Sequence, residues 1–375
     1  MKLYRVLVKL MLLLCILATF FAIAGVVLYF KAIRDMKEIY GPECEVRTFS
    51  FNYGFTVYGV RKHGEDWQPA LWRLFGDRKP KLGVRDLRYI EYLNGITSLD
   101  LYFRGLTTIP SGIGKLSSLK RLNLSYNQIE NLPIEISQLT SLEVLCLERN
   151  KLKKISIGIG NLKSLKILLL EDNELVDLPE NIANLCNLEW LLLNDNCFSE
   201  MPKVVSNLSN LKYLTLDNNN IQALSKDIGK LKTLKILSIS GNTLSFLPQE
   251  IENLQCIEDL NISTNQFSTY PEQINQLISL KVLQLRKNKI KILPKTIIKL
   301  KRLSQLYLQD NHLVALPPEI ANMDELSQLY LIGNKVNQKQ QELIKSWLPN
   351  CNVYFNEISD EDIKFKEGKF DDEND

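Results

Sequence analysis

Few side chains in this sequence have the type and spacing that catalysis requires. The chain contains only two histidines, His63 and His312, which are far apart and have no partner at a metal-ligand spacing. One segment, residues 38–94, collects the reactive side chains Cys44, His63, Glu65 and Asp66. It is short for a catalytic domain, and no nucleophile–base spacing, phosphate-binding loop or paired C-x-x-C stands out. We therefore predict no enzymatic activity, no cofactor and no metal site, with a small enzyme in residues 38–94 as the alternative.

A long uncharged run near the amino terminus indicates a membrane segment. Residues 10–30 contain no charged side chain and have lysines and arginines on both flanks. A helix of this length spans roughly 31 Å, close to the roughly 30 Å of a bilayer's hydrocarbon core. Ala22-Ile23-Ala24 resembles a signal-peptide cleavage site, so a cleaved signal sequence is the alternative. We favour an uncleaved signal anchor, because the apolar run continues to Phe30.

A strict repeat dominates the rest of the chain. Its pattern is Leu119-x-x-Leu122-x-Leu124-x-x-Asn127-x-Ile129, followed by Leu132-Pro133-x-x-Ile136. The asparagine recurs every 23 residues without insertion or deletion, at Asn127, Asn150, Asn173, Asn196, Asn219, Asn242, Asn265, Asn288, Asn311 and Asn334. One step earlier the position is Arg104, so the first unit keeps the leucines and loses the asparagine. The period gives eleven units, from about residue 96 to 348.

Each part of the repeat has a structural role. The L-x-L segment predicts a short strand with leucines pointing inward and the intervening residues pointing outward. The asparagine amide can satisfy backbone groups in the turn that follows, so we predict a structural column of buried amides. The proline suits an irregular return segment, because its φ is fixed and it lacks an N–H. The back of each unit should therefore be extended or 3₁₀-like.

These motifs resemble the 23-residue L-P-x-x-I class of leucine-rich repeats, similar to the Ras-associated and plant intracellular groups and to bacterial repeat proteins. The resemblance covers about two thirds of the chain. It implies an α/β solenoid, a leucine-rich-repeat horseshoe with a concave parallel β-sheet and eleven units. To this fold class we add an N-terminal transmembrane helix. The resemblance also implies that the concave sheet binds a protein partner, whose identity it does not give.

The composition divides the chain into six parts. Residues 45–61 alternate polar and apolar side chains around Asn52-Tyr53-Gly54, which predicts a hairpin in the N-terminal cap. We predict a short tail at 1–9, a transmembrane helix or signal sequence at 10–30, a linker and N-terminal cap at 31–94, the solenoid at 95–348, a C-terminal cap strand at 349–356 and an acidic disordered tail at 357–375.

The seven cysteines contain no obvious disulfide framework. Those within the repeats are Cys146, Cys186, Cys197 and Cys256, and none has another cysteine one period away, where the neighbouring unit would present it. Extracellular animal relatives usually carry cysteine-rich caps, so this usage points to a bacterium or a reducing compartment. Combined with residues 10–30, it predicts a single-pass membrane protein of the bacterial envelope, with its repeats outside the cytosol.

The outward positions of the strands include an apolar block in units three to six. Its members are Val144, Cys146, Ile167, Leu169, Trp190, Leu192 and Tyr213, and the acidic neighbours on the strand-exit side are Glu148, Glu171, Asp172, Asp195 and Asp217. An exposed apolar patch rimmed by charge is typical of a protein-binding site. The alternative is that these bulky side chains merely pack across neighbouring strands. A smaller cluster, Tyr307, Tyr330 and Ile332, is a second candidate.

These observations predict a membrane-tethered, non-catalytic scaffold that recognises a protein partner on the concave face. The alternative is a self-associating structural or adhesive envelope protein. Nucleic acid is not expected, because the formal net charge is only +3. A basic run at residues 281–302 has no interleaved aromatic platform, so we interpret it as a solvated face, with anionic headgroups or an acidic partner as the other interpretation.

Overall fold

A computed structural model describes residues 45–50, 56–61, 68–69 and 95–356. The first three ranges form a small antiparallel sheet of β1 (Glu45–Ser50), β2 (Thr56–Arg61) and β3 (Gln68–Pro69). Strands β1 and β2 pair from Glu45 with Arg61 to Ser50 with Thr56. This pairing is the hairpin that the alternating pattern predicts.

The second sheet is parallel and has twelve strands in unbroken sequence order. Eleven come from the repeat units and the last comes from the C-terminal cap. They are β4 (Ser98–Asp100), β5 (Arg121–Asn123), β6 (Val144–Cys146), β7 (Ile167–Leu169), β8 (Trp190–Leu192), β9 (Tyr213–Thr215), β10 (Ile236–Ser238), β11 (Asp259–Asn261), β12 (Val282–Gln284), β13 (Gln305–Tyr307), β14 (Gln328–Tyr330) and β15 (Asn352–Tyr354). Equivalent positions of neighbouring units pair directly, as Leu145 does with Leu168. The sequence period is therefore also the register of the sheet.

The return side of the solenoid consists of ten short 3₁₀ helices. Their bounds are Ser111–Lys115, Ile134–Gln138, Ile157–Asn161, Glu180–Asn184, Lys203–Asn207, Lys226–Lys230, Gln249–Asn253, Glu272–Gln276, Lys295–Lys299 and Pro318–Asn322. A proline immediately precedes eight of them, and Ser156 and Ser225 precede the other two. The fixed φ of proline orients the chain, and its carbonyl accepts the first helical bond, as Pro110 does from Ile113 N–H at 3.1 Å. The 3₁₀-like back is thus confirmed.

The core is a continuous column of leucine and isoleucine side chains between the sheet and the 3₁₀ helices. The central leucine of each inner strand, from Leu122 to Leu329, is fully buried. Phe198 and Phe267 replace the aliphatic residue found two positions after the asparagine in other units, and both are buried. No unit could bury this face alone, so the stability of each depends on its neighbours.

The asparagine column ties each unit to the one before it. Asn219 donates from Nδ2 to the carbonyls of Leu216 at 3.0 Å and Leu193 at 3.1 Å, and its Oδ1 accepts from Phe198 N–H at 3.1 Å. Leu193 and Phe198 belong to the preceding unit. The pattern repeats from Asn127 to Asn334. Each amide therefore satisfies backbone groups that would otherwise be buried without partners.

The carboxyl end of the solenoid is covered by α1 (Gln338–Trp347) and β15. Asn337 caps the helix, its side chain accepting from Gln340 N–H at 3.0 Å. Ile344 and Leu348 turn into the core, and Trp347 packs against it. The helix therefore shields the last leucines from water.

The predicted transmembrane helix requires a correction. Within the described residues, no helix has both the length and the apolar character to cross a bilayer. The α-helix α1 has 10 residues, which at about 1.5 Å each reach only half of the hydrocarbon thickness. Residues 10–30 themselves lie outside the described residues. We correct the fold class to the solenoid with its twelve-stranded sheet, because the described residues contain no membrane-spanning helix, and the single-pass envelope localisation is corrected on the same finding.

The substitution Asn219→Leu tests the amide column. We expect it to lower the free energy of unfolding by about 1–3 kcal/mol, because the carbonyls of Leu193 and Leu216 and the N–H of Phe198 lose a buried partner. Urea unfolding followed by circular dichroism measures the loss. The matched control is Asn220→Leu, since Asn220 is the next residue and its side chain is exposed. Equal stabilities for the two variants would contradict the structural role of the column.

Candidate functional site

The strand register gathers the predicted binding residues into one surface on β6 to β9. Val144, Ile167, Trp190 and Tyr213 are direct cross-strand neighbours in one row. A second row contains the other members, Cys146, Leu169 and Leu192. We call the seven residues of these rows the apolar patch. All are half-buried except Trp190, which is 36% exposed.

The centre of the apolar patch is an aromatic stack. The rings of Trp190 and Tyr213 lie 3.7 Å apart between centroids, with 19° between their planes. The rings thus pack across strands, as the packing interpretation requires, while Trp190 stays accessible to solvent. Stacking holds these large side chains in place before any partner arrives, which lowers the entropic cost of binding.

Cys146 contributes an apolar surface, not a reactive thiol. Burial raises its pKa to about 12, and the charges of Glu148 and Asp100 act in the same direction. The thiolate is the nucleophilic form, so a thiol with this pKa is inert at neutral pH. Its place in the patch is that of a small hydrophobic residue.

Three of the predicted acidic residues, Glu148, Glu171 and Asp217, occupy equivalent positions just after their strands. Each accepts hydrogen bonds from uncharged groups: Glu148 from Ser125 Oγ, Glu171 from Asn194 Nδ2 at 2.8 Å, and Asp217 from Ser238 Oγ at 2.6 Å. Asn194 fills this position in the unit between Glu171 and Asp217, and its Oδ1 accepts from Asp217 N–H at 2.8 Å. Sequence reasoning missed Asn194, although the 23-residue spacing could have identified it.

The other two acidic residues, Asp172 and Asp195, have a backbone role. Each immediately precedes a repeat asparagine, where φ is positive, at 53° and 54°. Aspartate and asparagine tolerate this left-handed conformation better than most residues. Asp172 forms an ion pair with Arg149 at 3.2 Å, and Asp195 accepts from Asn218 Nδ2 at 3.0 Å. The turn favours these residue types but does not require them, since Arg149 and Lys287 adopt the same positive φ in their own units.

Two carboxylates on this side, Glu171 and Asp217, have raised pKa values. Burial raises the pKa of Glu171, and the charges of Glu148, Asp195 and Asp217 raise it further. Burial likewise raises the pKa of Asp217, with Asp195 adding to the effect. The exit side of the apolar patch therefore has a concentrated negative potential.

The opposite edge of the same strands is charge-balanced. Just before the strands, Glu143 lies between Lys166 at 2.9 Å and Lys120 at 3.4 Å, and the same column pairs Glu189 with Lys212 and Glu258 with Lys281. Hydrogen bonds from Lys166 and Lys120 lower the pKa of Glu143. Alternating signs at equivalent positions neutralise this edge.

The second candidate surface is a stack of three tyrosines. Tyr307 and Tyr330 lie 4.5 Å apart between centroids, and Tyr330 and Tyr354 lie 4.6 Å apart. Burial and the adjacent Tyr307 and Tyr354 raise the pKa of Tyr330 to about 12. Ile332 follows β14 and is half-buried outside the stack. Sequence reasoning missed Tyr354, because the cap strand β15 follows β14 by one residue more than the repeat period.

The described part of the chain contains few side chains that could take part in catalysis. No group of three or more histidine, cysteine, aspartate or glutamate side chains there could hold a metal ion. The thiols of Cys146, Cys186, Cys197, Cys256 and Cys351 are free. The reactive side chains of the alternative enzymatic segment, Cys44, His63, Glu65 and Asp66, lie outside the described residues.

Comparisons with known proteins place this architecture among repeat proteins. The leucine rich repeat family model matches residues 94–152, 209–267 and 269–313. A leucine-rich-repeat protein of Leptospira interrogans is 39% identical, with a TM-score of 0.69 and coverage of 71% of this chain and 68% of its own. No curated protein matches the chain.

Two further solved structures share the fold. An internalin, InlF from Listeria monocytogenes, is 21% identical over 80% of this chain and 96% of its own, with a TM-score of 0.57. The plant peptide hormone receptor RGFR1, in complex with RGF2, is 26% identical over 70% of this chain and 48% of its own, with a TM-score of 0.54.

The raised pKa of Glu171 predicts a pH-dependent effect of Glu171→Gln. Because the native-state pKa lies above the unfolded-state value, ionisation of Glu171 destabilises the fold as the pH rises above about 4.5. The glutamine can still accept from Asn194, so the variant should gain stability over the wild type at pH 7 and gain less at pH 4. Urea unfolding at the two pH values measures the difference.

Glu258→Gln is the control of opposite sign. A hydrogen bond from Lys281 lowers the pKa of Glu258, so its stabilising contribution is present above the unfolded-state pKa and is lost as the pH falls through the native-state pKa. The substitution should lower stability at pH 7, and the loss should shrink on acidification. The same pH trend in both variants would refute the charge crowding on the exit side.

Proposed function

The chain belongs to the leucine-rich-repeat family, and from this premise we propose that it is a non-catalytic scaffold that binds a protein partner on the concave face of its solenoid. We also assign its units to the 23-residue L-P-x-x-I class. The regular period and the prolines before eight of the 3₁₀ helices support that assignment.

The observation that carries the proposal is the stack of Trp190 on Tyr213 within the apolar patch, in which Trp190 is accessible to solvent. Tryptophan and tyrosine are the side chains most often responsible for binding energy at protein interfaces. Here they are held by a sheet whose strands cannot shift without breaking the repeat register. A surface fixed in this way loses little conformational entropy when a partner binds.

A similar protein also supports partner binding. RGFR1 is a peptide hormone receptor, and its structure is a complex with RGF2. That protein shares 26% identity with this chain and is about twice as long as the matched region, so only the general mode of action is transferred. We therefore propose that this chain also binds a peptide or a protein, and we transfer no partner identity from RGFR1.

Self-association is the second candidate function. The tyrosine stack of Tyr307, Tyr330 and Tyr354 ends at β15, which has a neighbour on one side only in the described sheet. Outermost strands of a sheet can pair with another chain. Sedimentation velocity of the full chain at increasing concentration tests this candidate: a second copy would give a faster-sedimenting species, and a constant monomer would exclude it.

A double substitution tests the concave face directly. Trp190→Ala with Leu169→Ala should abolish partner capture, because it removes the aromatic anchor and its neighbour in the second row. Loss of one aromatic stack costs about 0.5–1.5 kcal/mol beyond the loss of buried apolar area, and the melting temperature of a domain of about 250 residues falls by about 2–4 °C per kcal/mol. Because both side chains are partly exposed, the fold should persist with a melting temperature lower by several degrees. Crosslinking pull-down with the full chain, read by mass spectrometry, measures capture.

The control removes two apolar side chains that are more exposed and lie elsewhere on the solenoid. Phe246 and Ile292 lie between the asparagine and the 3₁₀ helix of their units, and both are largely exposed. Phe246→Ala with Ile292→Ala should leave capture unchanged. Capture that survives the patch variant, or is lost equally in the control, would exclude the apolar patch as the binding surface.

A further inference from the structure

The edges of the concave sheet differ in how their charges are compensated. Along the entry side, each of Glu143, Glu189 and Glu258 forms an ion pair with a lysine of a neighbouring unit. Along the exit side of the apolar patch, no lysine or arginine of the described residues forms an ion pair with Glu148, Glu171, Asp195 or Asp217. Arg149 pairs with Asp172, whereas the charge of these four carboxylates is uncompensated within the described part of the chain.

Neutral donors hold these carboxylates in place without cancelling their charge. Glu171 is fixed by Asn194, Asp195 by Asn218, and Asp217 by Ser238 and the backbone of Ser240. Ordering the carboxylates in advance is unfavourable for the isolated protein, because like charges repel. The same pre-positioning favours binding of a cationic side chain, because the carboxylates that pair with it are already in place.

Resting on the proposed function, we propose that the partner binds through a positively charged segment, whose lysine or arginine side chains lie along Glu148, Glu171, Asp195 and Asp217. An apolar side chain of the same segment covers the Trp190–Tyr213 stack. Charge complementarity favours a basic segment over an acidic or neutral one. An acidic or neutral segment would leave the carboxylates unpaired and partly desolvated.

The dimensions fit a short segment. Strands β6 and β9 are separated by three strand spacings, roughly 14 Å at about 4.8 Å each. An extended chain that crosses them at about 3.3 Å per residue covers this distance with about five residues. Alternate side chains then face the sheet, which leaves room for two or three contacts. The carboxylates lie along the exit side, and the Trp190–Tyr213 stack lies in a parallel row at the start of the strands, so different side chains of the segment contact the two.

The charge on the exit side changes sign farther along the solenoid, which limits where such a segment can bind. After β12, the equivalent positions are Arg286 and Lys287. Arg286 pairs with Asp310 at 3.5 Å, and Lys287 occupies the positive-φ position that Asp172 occupies in its own unit. A basic segment is repelled at Arg286 and Lys287 and attracted at the apolar patch. The charge distribution therefore restricts its binding to the apolar patch.

A random peptide library tests the inference without knowledge of the natural partner. A phage-displayed library of random 12-residue peptides is selected on the full chain and counter-selected on the Trp190→Ala, Leu169→Ala variant. We expect the enriched peptides to combine a net positive charge with at least one large apolar side chain. Their affinity should fall by about two- to fivefold for Glu148→Gln and for Asp195→Asn, the range for partly exposed ion pairs. Asparagine tolerates positive φ, so the Asp195 variant keeps its turn.

The matched control is Glu189→Gln, which removes an acidic group from the balanced entry edge and should leave the affinity unchanged. Enriched peptides that are neutral or acidic, or that bind the Glu148 and Asp195 variants as tightly as the wild type, would overturn the charge inference while leaving the concave face as the binding site. A selection that yields no peptide dependent on Trp190 would count against the proposed function itself.

Discussion

The hydrogen bonds of the asparagine column are the constraint on which the rest of the molecule depends. Each amide joins its own turn to backbone groups of the preceding unit, so a unit can occupy only one position relative to its neighbour. An inserted or deleted residue would separate an amide from these partners, at the cost of unsatisfied buried groups. The uninterrupted 23-residue period and the direct register of the sheet follow from this bond pattern.

Fixed register converts a linear sequence into columns of side chains with defined surroundings. Lysine and glutamate alternate along one edge and cancel, whereas carboxylates accumulate along the other beside the apolar patch. A ring at one position lies against the ring at the same position of the next unit, as with Trp190 and Tyr213. Because the backbone has the same geometry in every unit, partner recognition on this face depends on the order of side chains at equivalent positions of successive units.

The repeat made most of the fold predictable. Strands, buried leucines, turn asparagines and the return segments could be inferred because each signal occurs many times at one spacing. Side-chain conformation carried no such signal: the stack of Trp190 on Tyr213, the bridging amide of Asn194 and the inclusion of Tyr354 depend on contacts between units. The transmembrane helix was inferred from one apolar run without a second, independent signal, and that part of the predicted fold class was corrected.

The equal length of all units has a genetic consequence. Duplication or loss of 69 base pairs in phase with the repeat, three for each of the 23 residues, adds or removes one whole coil without altering any contact inside the others. Between β9 and β12 such an event would change the distance from the acidic region to Arg286 by about 4.8 Å. Gain or loss of whole units can thus change the length of the binding surface to suit partners of different size. The Trp190–Tyr213 stack is unaffected by such a change.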